Sequence, residues 1–355
     1  MTNINVPRTD YWQGRRVAVT GHMGFKGSWL CMLLARLGAR SFGYGQDDRT
    51  PLLYPHLKIA NHEGRQGNVT DTSGVRSWLM DTEPEFLIHL AAQPIVLDSY
   101  DDPMTTFQDN IMGTAAVLEA ARSAPTLKVV LVITSDKVYR NADEGAAFIE
   151  DDTLGGDDPY SASKAAAEIV THAMAKSFFG DDDAAKVATA RAGNVIGGGD
   201  WAAHRLLPDA ARSAAAGVPL VVRNPGSVRP WQHVLDPLSG YLLFCEKLER
   251  EGNVSALNFG PDSGEARSVG EVVNLFSKAW GNDTTQTVGA GSQEKKEALL
   301  LSVDSTRAKE FLDWSPRWKV DEAVTRTASW YRQYSDKKDP TDLVNNDLDA
   351  FFEES

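Results

Sequence analysis

The sequence predicts an α/β chain: a doubly wound parallel sheet with a smaller, mixed C-terminal lobe. Three observations predict it. Short β-branched runs alternate with helical patterns through the first half of the chain. The run Lys128-Val129-Val130-Leu131-Val132-Ile133 is apolar on both faces, as a strand covered by helices on each side must be. After about residue 195 the alternation stops and shorter, less regular pieces follow.

The elements follow in order. A first strand is expected at 16–20. A helix at 25–37 places Leu30, Leu33, Leu34 and Leu37 on one face, and Gly38 stops it. Further strands are expected at 40–44, 86–90, 129–134 and 187–192, with helices at 72–81, 103–123 and 159–178. Gly197-Gly198-Gly199-Asp200 reads as a loop. Beyond it come helices at 206–216, 236–251 and 269–280 and a short strand at 220–223. The expected division is 11–195 for the sheet domain, with segments near 230–260 returning to it, and 196–335 mainly for the smaller lobe. Residues 336–355 read as a peripheral tail, charged and polar, with only Phe351 and Phe352 to anchor it.

Composition narrows the classes. Of 355 residues 42% are hydrophobic and 24% charged, which is globular and not disordered. A net charge of -13 argues against a nucleic-acid surface, which needs a basic face. The two cysteines, Cys31 and Cys245, have no zinc or disulfide spacing and suit a reducing compartment. The first ten residues are polar, and no apolar run reaches the roughly 20 residues a membrane helix needs. A soluble, cytoplasmic protein is expected, with no metal.

Thr20-Gly21-His22-Met23-Gly24-Phe25-Lys26-Gly27 closes the first strand and opens the first helix. Glycines at 21, 24 and 27 meet three demands of dinucleotide binding. These are a tight turn, backbone approach to a pyrophosphate, and close packing of helix on strand. The helix N-terminus then faces the phosphates with free N–H groups. Strand context raises a weak glycine triplet to a Rossmann-type signature. An acid should follow the second strand to hold a ribose, and Asp47 stands there with Asp48 beside it. That favours NAD, although Arg49 next in line would suit a 2′-phosphate.

Tyr160 and Lys164 lie one helical turn apart, so both fall on one face. A phenol is a poor base near neutrality unless a cation steadies its anion. Thr134-Ser135-Asp136-Lys137 ends the buried strand, on the side of an open α/β sheet where ligands bind. Thr134 is expected to hydrogen-bond a substrate hydroxyl. Asp136 and Lys137 offer an acid and a potential base side by side.

At this point the chain resembles the extended short-chain dehydrogenase/reductases, the NAD-dependent epimerase/dehydratase family. Within it the chain is similar to the sugar-nucleotide dehydratases that act on CDP-glucose. The resemblance runs from about Tyr11 to about Tyr331. It rests on Trp12-Gln13-Gly14, on the glycine turn through Ser28-Trp29, and on His89-Leu90-Ala91-Ala92-Gln93-Pro94. It rests further on Thr134-Ser135-Asp136-Lys137, on Arg191-Ala192-Gly193-Asn194-Val195-Ile196 with Gly197-Gly198-Gly199-Asp200-Trp201, and on Arg229-Pro230-Trp231-Gln232-His233-Val234. The Asp-Lys pair is the most specific mark, since other sugar-nucleotide dehydratases carry Asp-Glu and the epimerases carry neither.

The resemblance implies roles. Tyr160 takes the proton of the sugar's 4-hydroxyl while NAD accepts a hydride from carbon 4. Lys164 supports the tyrosinate and the nicotinamide ribose. Lys137 matches the base for carbon 5 and Asp136 the acid for the hydroxyl leaving carbon 6; the sequence leaves their division of labour open. The hydride returns to carbon 6, giving CDP-4-keto-6-deoxyglucose. Gly21, Met23, Gly24, Phe25, Lys26, Asn68, Val69, Leu90, Ala91 and Ala92 would join Asp47 around the cofactor. Gln93, Asn194, Arg205, Arg229 and, more weakly, Arg223 would hold the substrate. Arginine suits its pyrophosphate because a planar fork binds oxygens in pairs. Trp231 and His233 read as packing. A homodimer is implied, built on a bundle of helices 103–123 and 159–178.

Some positions depart from the family pattern. Asn68 stands where an acid often meets the adenine end. Glu294-Lys295-Lys296-Glu297-Ala298 carries Lys296 in place of a histidine, and Val138 replaces a frequent cysteine. Three alternatives remain: a dehydratase for another nucleotide sugar, a 4-epimerase, and a non-catalytic dinucleotide-binding regulator. The epimerase has no use for Asp136 and Lys137, and the regulator has none for Tyr160 and Lys164.

Overall fold

The computed structural model describes residues 6–46, 52–141, 147–181, 183–222, 224–252, 254–262, 264–281, 286–288 and 301–353. Its centre is a seven-stranded sheet. In chain order the strands are β1 (Arg16–Thr20), β2 (Arg40–Gly45), β3 (His62–Gln66), β4 (Phe86–His89), β5 (Val129–Ile133), β6 (Lys186–Ala192) and β7 (Ala256–Phe259). In space they run β7-β6-β5-β4-β1-β2-β3, every pair parallel. The chain therefore moves outward from β1 to β3, then returns to lay β4 on the other side of β1. The crevice beyond the carboxyl ends of β1 and β4 is the switch point where such sheets bind ligands. Thr20 and His89 face each other there in register.

Helices cover both faces. α1 (Phe25–Arg36), α2 (Thr72–Thr82), α3 (Gly113–Ala121) and α4 (Pro159–Phe178) alternate with the strands. β5 divides its side chains between two cores. Val129, Leu131 and Ile133 join the larger one, and Val130 and Val132 the smaller. That is the two-sided burial its composition implies.

The helix expected at 103–123 is interrupted. Pro103–Phe107 leads into a π-helical turn, Gln108–Met112, before α3. β3 was not expected at all. Its sequence, His-Glu-Gly-Arg-Gln, lies at the sheet edge and is mostly exposed, so it carries no apolar signal.

The longer helices that follow are α5 (Leu206–Ala216), α6 (Leu235–Glu251), α7 (Val269–Trp280), α8 (Val320–Ser335) and α9 (Pro340–Glu353). α6 and β7 return to the sheet, while α5, α7 and α8 pack against one another beside it. The tail differs from expectation. It forms α9, which docks on α1 and α8 through buried Leu343, Val344, Leu348 and Phe351. These recur at helical spacing, so a segment polar on average still buries a stripe. Among the described residues no helix is long and apolar enough to cross a membrane. Cys31 and Cys245 are buried free thiols.

Candidate active site

The crevice opens into a cavity of about 470 Å³ at the carboxyl ends of the central strands. At one end the glycine turn supplies its floor. Gly21 has φ +70°, and a Cβ there would lie 2.7 Å from the Ala91 nitrogen. Gly24 caps α1 with no side-chain bond to the first turn. A Cβ on Gly27 would lie 2.1 Å from the Gly21 carbonyl oxygen. Only glycine fits this cradle, and it leaves a helix N-terminus open to a pyrophosphate. Met23, Phe25, Val69, Leu90, Ala91 and Ala92 border the same end. Asn68 does too, with its Oδ1 accepting from the Thr70 nitrogen and hydroxyl at 2.9 and 2.8 Å. This arrangement fits a dinucleotide. Asp47, Asp48, Arg49, Arg223 and Lys296 lie outside the described residues.

At the other end α4 presents Tyr160 and Lys164. Asp158 caps the helix, accepting from the Ser161 nitrogen at 2.9 Å, and Pro159 opens its first turn. Tyr160 and Lys164 are both buried and both face the cavity. Lys164 Nζ donates to the Ile133 carbonyl at 3.2 Å. Burial pushes its pKa down to about 8, against the pull of Glu168 one turn further along α4. Burial raises the pKa of the Tyr160 phenol, and the nearby Ser135 is the largest influence lowering it. Lys26 reaches in from α1. Burial, then Arg205 and Lys164, push its pKa down to about 7, while Asp136 pulls it back.

The segment after β5 carries the distinctive pair. Ser135 is fully extended, at φ -156° and ψ 160°, before a short 3-10 turn, Asp136–Val138. Its hydroxyl donates to Asp136 Oδ1 at 3.0 Å and accepts from the Lys137 nitrogen at 3.2 Å. Asp136 is 1% exposed. Asn194 Nδ2 donates to its other oxygen at 3.3 Å. Asn194 itself sits at φ +48°, a conformation non-glycine residues rarely adopt. Beside it, a Cβ on Gly193 would lie 1.8 Å from Asp136 Oδ2, so glycine there makes room for the carboxylate. Lys137 borders the cavity next to them.

Several residues land elsewhere than the sequence suggests. Thr134 borders the cavity, but its hydroxyl donates inward to Glu168 Oε1. The hydroxyl that instead reaches Asp136 at the cavity belongs to Ser135, which was not singled out from the sequence. Strand alternation was the available signal. Thr134 continues the Val130–Val132 face, and Ser135 continues the Leu131–Ile133 face. Gln93 does not line the cavity. Its amide is used by Thr106 Oγ1 at 3.0 Å and by the Ile95 carbonyl and nitrogen at 2.9 and 2.5 Å. Arg229 is also absent from the lining; it is buried in a short strand and donates to the Val228 carbonyl at 2.9 Å. Asn194 borders the cavity but spends its amide on Asp136. Arg205 borders the cavity, its Nε 3.5 Å from Asp200. Trp231 and His233 are buried packing residues, the latter edge-on to Trp29 and Trp318. Among the described residues no three metal-ligating side chains gather.

The family model described as GDP-mannose 4,6 dehydratase matches residues 18–327. A CDP-glucose 4,6-dehydratase of Salmonella typhimurium is 40% identical over 333 residues, 92% of each chain. Among solved structures, MoeE5 in complex with UDP-glucuronic acid and NAD superposes with TM-score 0.77 at 26% identity, over 90% of this chain and 99% of that one. A dTDP-glucose 4,6-dehydratase from Bacillus anthracis, in complex with NAD, shares the fold with TM-score 0.76 at 20% identity, over 92% and 100%.

Proposed function

The chain belongs to the GDP-mannose 4,6-dehydratase family of extended short-chain dehydrogenase/reductases, and on that footing we propose that it converts CDP-glucose to CDP-4-keto-6-deoxyglucose. The observation that carries this reading is the Asp136–Lys137 pair beside Tyr160 and Lys164 in one cavity. A simple oxidation or epimerisation at carbon 4 needs only the latter two. Elimination of water also needs an acid and a base.

The glycine turn, Asn68, Val69 and Leu90–Ala92 would hold NAD, with the sequence offering Asp47 for its ribose, and the bound cofactor would supply a reversible hydride acceptor. The chain's own residues do the rest. Tyr160 removes the proton of the 4-hydroxyl. The Lys164 ammonium, enclosed in low dielectric, steadies the phenolate. The new ketone acidifies carbon 5, and Lys137 takes that proton. Asp136 protonates the hydroxyl leaving carbon 6. Arg205 and Lys26 offer positive charge to the diphosphates in a chain of net charge -13. Residues 11–195 with 230–260 form the cofactor side and 196–335 the substrate side.

The reading extends to a cytoplasmic homodimer. Two buried free thiols suit a reducing compartment. Met104 and Met112 are 72% and 58% exposed on the segment leading into α3, and Ile169 is 59% exposed on α4, which packs beside it. A second copy of the same helix pair would cover them. Sedimentation should give twice the chain mass, falling to one with Ile169→Glu and Met104→Glu.

Incubation with NAD and CDP-glucose, dTDP-glucose, UDP-glucose or GDP-mannose in deuterated water tests the activity. A 4-keto-6-deoxy product from the CDP sugar alone, deuterated at carbon 5, is expected. Equal turnover of another sugar nucleotide would move the substrate, and a 4-epimer without deuterium would replace the reaction.

A further inference from the structure

The C-terminal helix α9 lies away from the cavity, and none of its described residues borders it. Its first turn nevertheless holds a segment that does. Asp339 caps the helix, accepting from the Thr341 nitrogen at 2.8 Å, and Pro340 opens it. Thr341 is thereby fixed in the first turn, and it is buried. Its one hydroxyl is used twice. It accepts from the Lys58 nitrogen at 3.2 Å and donates to the His56 carbonyl at 3.4 Å, across more than 280 residues of chain. Lys58 Nζ adds an ion pair to Asp339 at 3.0 Å, but an amine 81% exposed contributes little.

The segment so held leads directly to the cofactor end of the cavity. A 3-10 turn, Tyr54–His56, stiffens it. The His56 nitrogen donates to the Leu53 carbonyl at 3.0 Å and the Leu57 nitrogen to the Tyr54 carbonyl at 3.1 Å. Leu52 and Leu53 then border the cavity, beside Gly45 and Gln46 at the end of β2 and Gly67 and Asn68 beyond β3. In a sheet of this order the adenosine half of a dinucleotide lies on that side, with its pyrophosphate on the glycine turn. Leu53 is buried against Gly199, where φ is +80° and a Cβ would lie 2.5 Å from Leu53 Cδ2. Tyr54 Oη, 3.0 Å from His62 Nε2, pins the near end of the turn to β3. A turn pinned at one point can swing about it, and the Thr341 bonds pin its far end.

We propose that Thr341 is a positioning residue for NAD: by clasping His56 and Lys58 it holds Leu52 and Leu53 as the wall of the adenosine pocket. The buried stripe of α9 gives the clasp its footing. Val344, Leu348 and Phe351 are fully buried and seat α9 on α8 and on α1, the helix whose N-terminus follows the glycine turn. One element thus rests on the helix that faces the pyrophosphate and holds the wall that faces the adenosine, so the two halves of the cofactor site keep a fixed separation. The clasp serves the cofactor whichever nucleotide sugar enters.

Calorimetric titration of NAD into the cofactor-free enzyme tests the clasp, with initial rates on CDP-glucose as a second readout. Thr341→Val keeps the shape of the side chain and removes both bonds. Its NAD affinity should fall about three- to tenfold, the scale of one net hydrogen bond. KM for NAD should rise alike, while kcat at saturating NAD holds, because no reacting group has moved. Thr341→Ser retains the hydroxyl and should bind NAD as wild type does. Val344→Ala trims the buried stripe instead, so it should lower the urea midpoint and leave NAD affinity unchanged. The titration needs no sugar, so a failure of the CDP-glucose reading leaves its result standing. The clasp is overturned if Thr341→Val binds NAD as tightly as wild type, if it loses kcat at saturating NAD, or if Thr341→Ser is equally weak. It is also overturned if Val344→Ala weakens NAD as much, since α9 would then only support the fold.

Discussion

Two polar regions meet at the carboxyl end of β5, and adjacent residues belong to different ones. Behind the strand lies a closed network. Glu168 accepts from Arg191 Nε and Nη2 at 3.0 and 2.8 Å, from Thr189 Oγ1 at 2.7 Å, and from Thr134. Arg191 also donates to Tyr139 Oη at 2.8 Å and to the Glu150 carbonyl at 2.9 Å. Tyr139 in turn donates to Asn258 at 2.6 Å. The Arg191 and Glu168 side chains are 5% and 4% exposed. In front lies the cavity, where Tyr160, Lys164, Lys26 and Asp136 face one another with few bonds among them. A buried polar group with every partner satisfied is rigid. One left partly unsatisfied is ready to bind or to move a proton. Thr134 donates into the closed network and Ser135 to Asp136 at the cavity, and one residue of strand register separates them.

The sharpest way to break that division is at its two extremes. Tyr160→Phe should lower kcat about 10²- to 10⁴-fold, the span for a lost general base, with little change in the urea midpoint. Steady-state kinetics and equilibrium unfolding check both halves; a large stability loss would make Tyr160 scaffold. Glu168→Leu should do the reverse. It strands Arg191 as a buried charge, which costs about 3–5 kcal/mol of folding free energy. An unchanged urea midpoint would mean that the network does not hold the strand end.

Smaller effects test the border. Gly193→Ala adds a Cβ where Asp136 lies, so the carboxylate must move by about the 1 Å that can cost about 10²-fold in rate. Water elimination should suffer more than the reduction of nicotinamide that precedes it, and equal losses would argue against an acid role for Asp136. Thr134→Val should cost only about 1 kcal/mol of stability, the hydrogen bond to Glu168, and leave kcat within about threefold. If Thr134→Val matched the loss of the Tyr160 hydroxyl, Thr134 would be back in the chemistry and the register argument would be wrong.

How much of this was legible in the sequence follows the range of the signals. β1, its glycine turn and α1 form one contiguous stretch, where hydrophobic spacing and glycine placement are enough. Tyr160 and Lys164 are four apart on one helix, again local. Asp136 and Lys137 were found because they are adjacent. What was missed depends on partners distant in sequence. The inward turn of Thr134 is decided by Glu168, 34 residues away. Gln93 is claimed by Thr106, and Asn194 by Asp136, 58 residues away. β3 is an edge strand held by β2, with no apolar pattern of its own. α9 was hidden because its mean polarity masks four buried residues that only α1 and α8 make necessary.

The pH dependence joins the two regions through Lys164. Burial holds its pKa down at about 8, well below the ordinary amine range, and Glu168 opposes that shift. The catalytic form is the ammonium, so the rate should hold below about pH 8 and fall as pH rises through it. Stability should move the other way. Between about 8 and the ordinary lysine value of 10.5 the unfolded chain binds the proton and the folded chain does not. Stability therefore rises with pH across that window, and the cost of burying the charge is felt below it. Glu168→Gln keeps the shape of the network while removing the negative charge. It should shift the alkaline limb of the kcat profile to lower pH, with the Tyr160–Lys164 pair otherwise intact. A limb that stays in place would mean that the closed network behind β5 only supports the cavity and does not tune it.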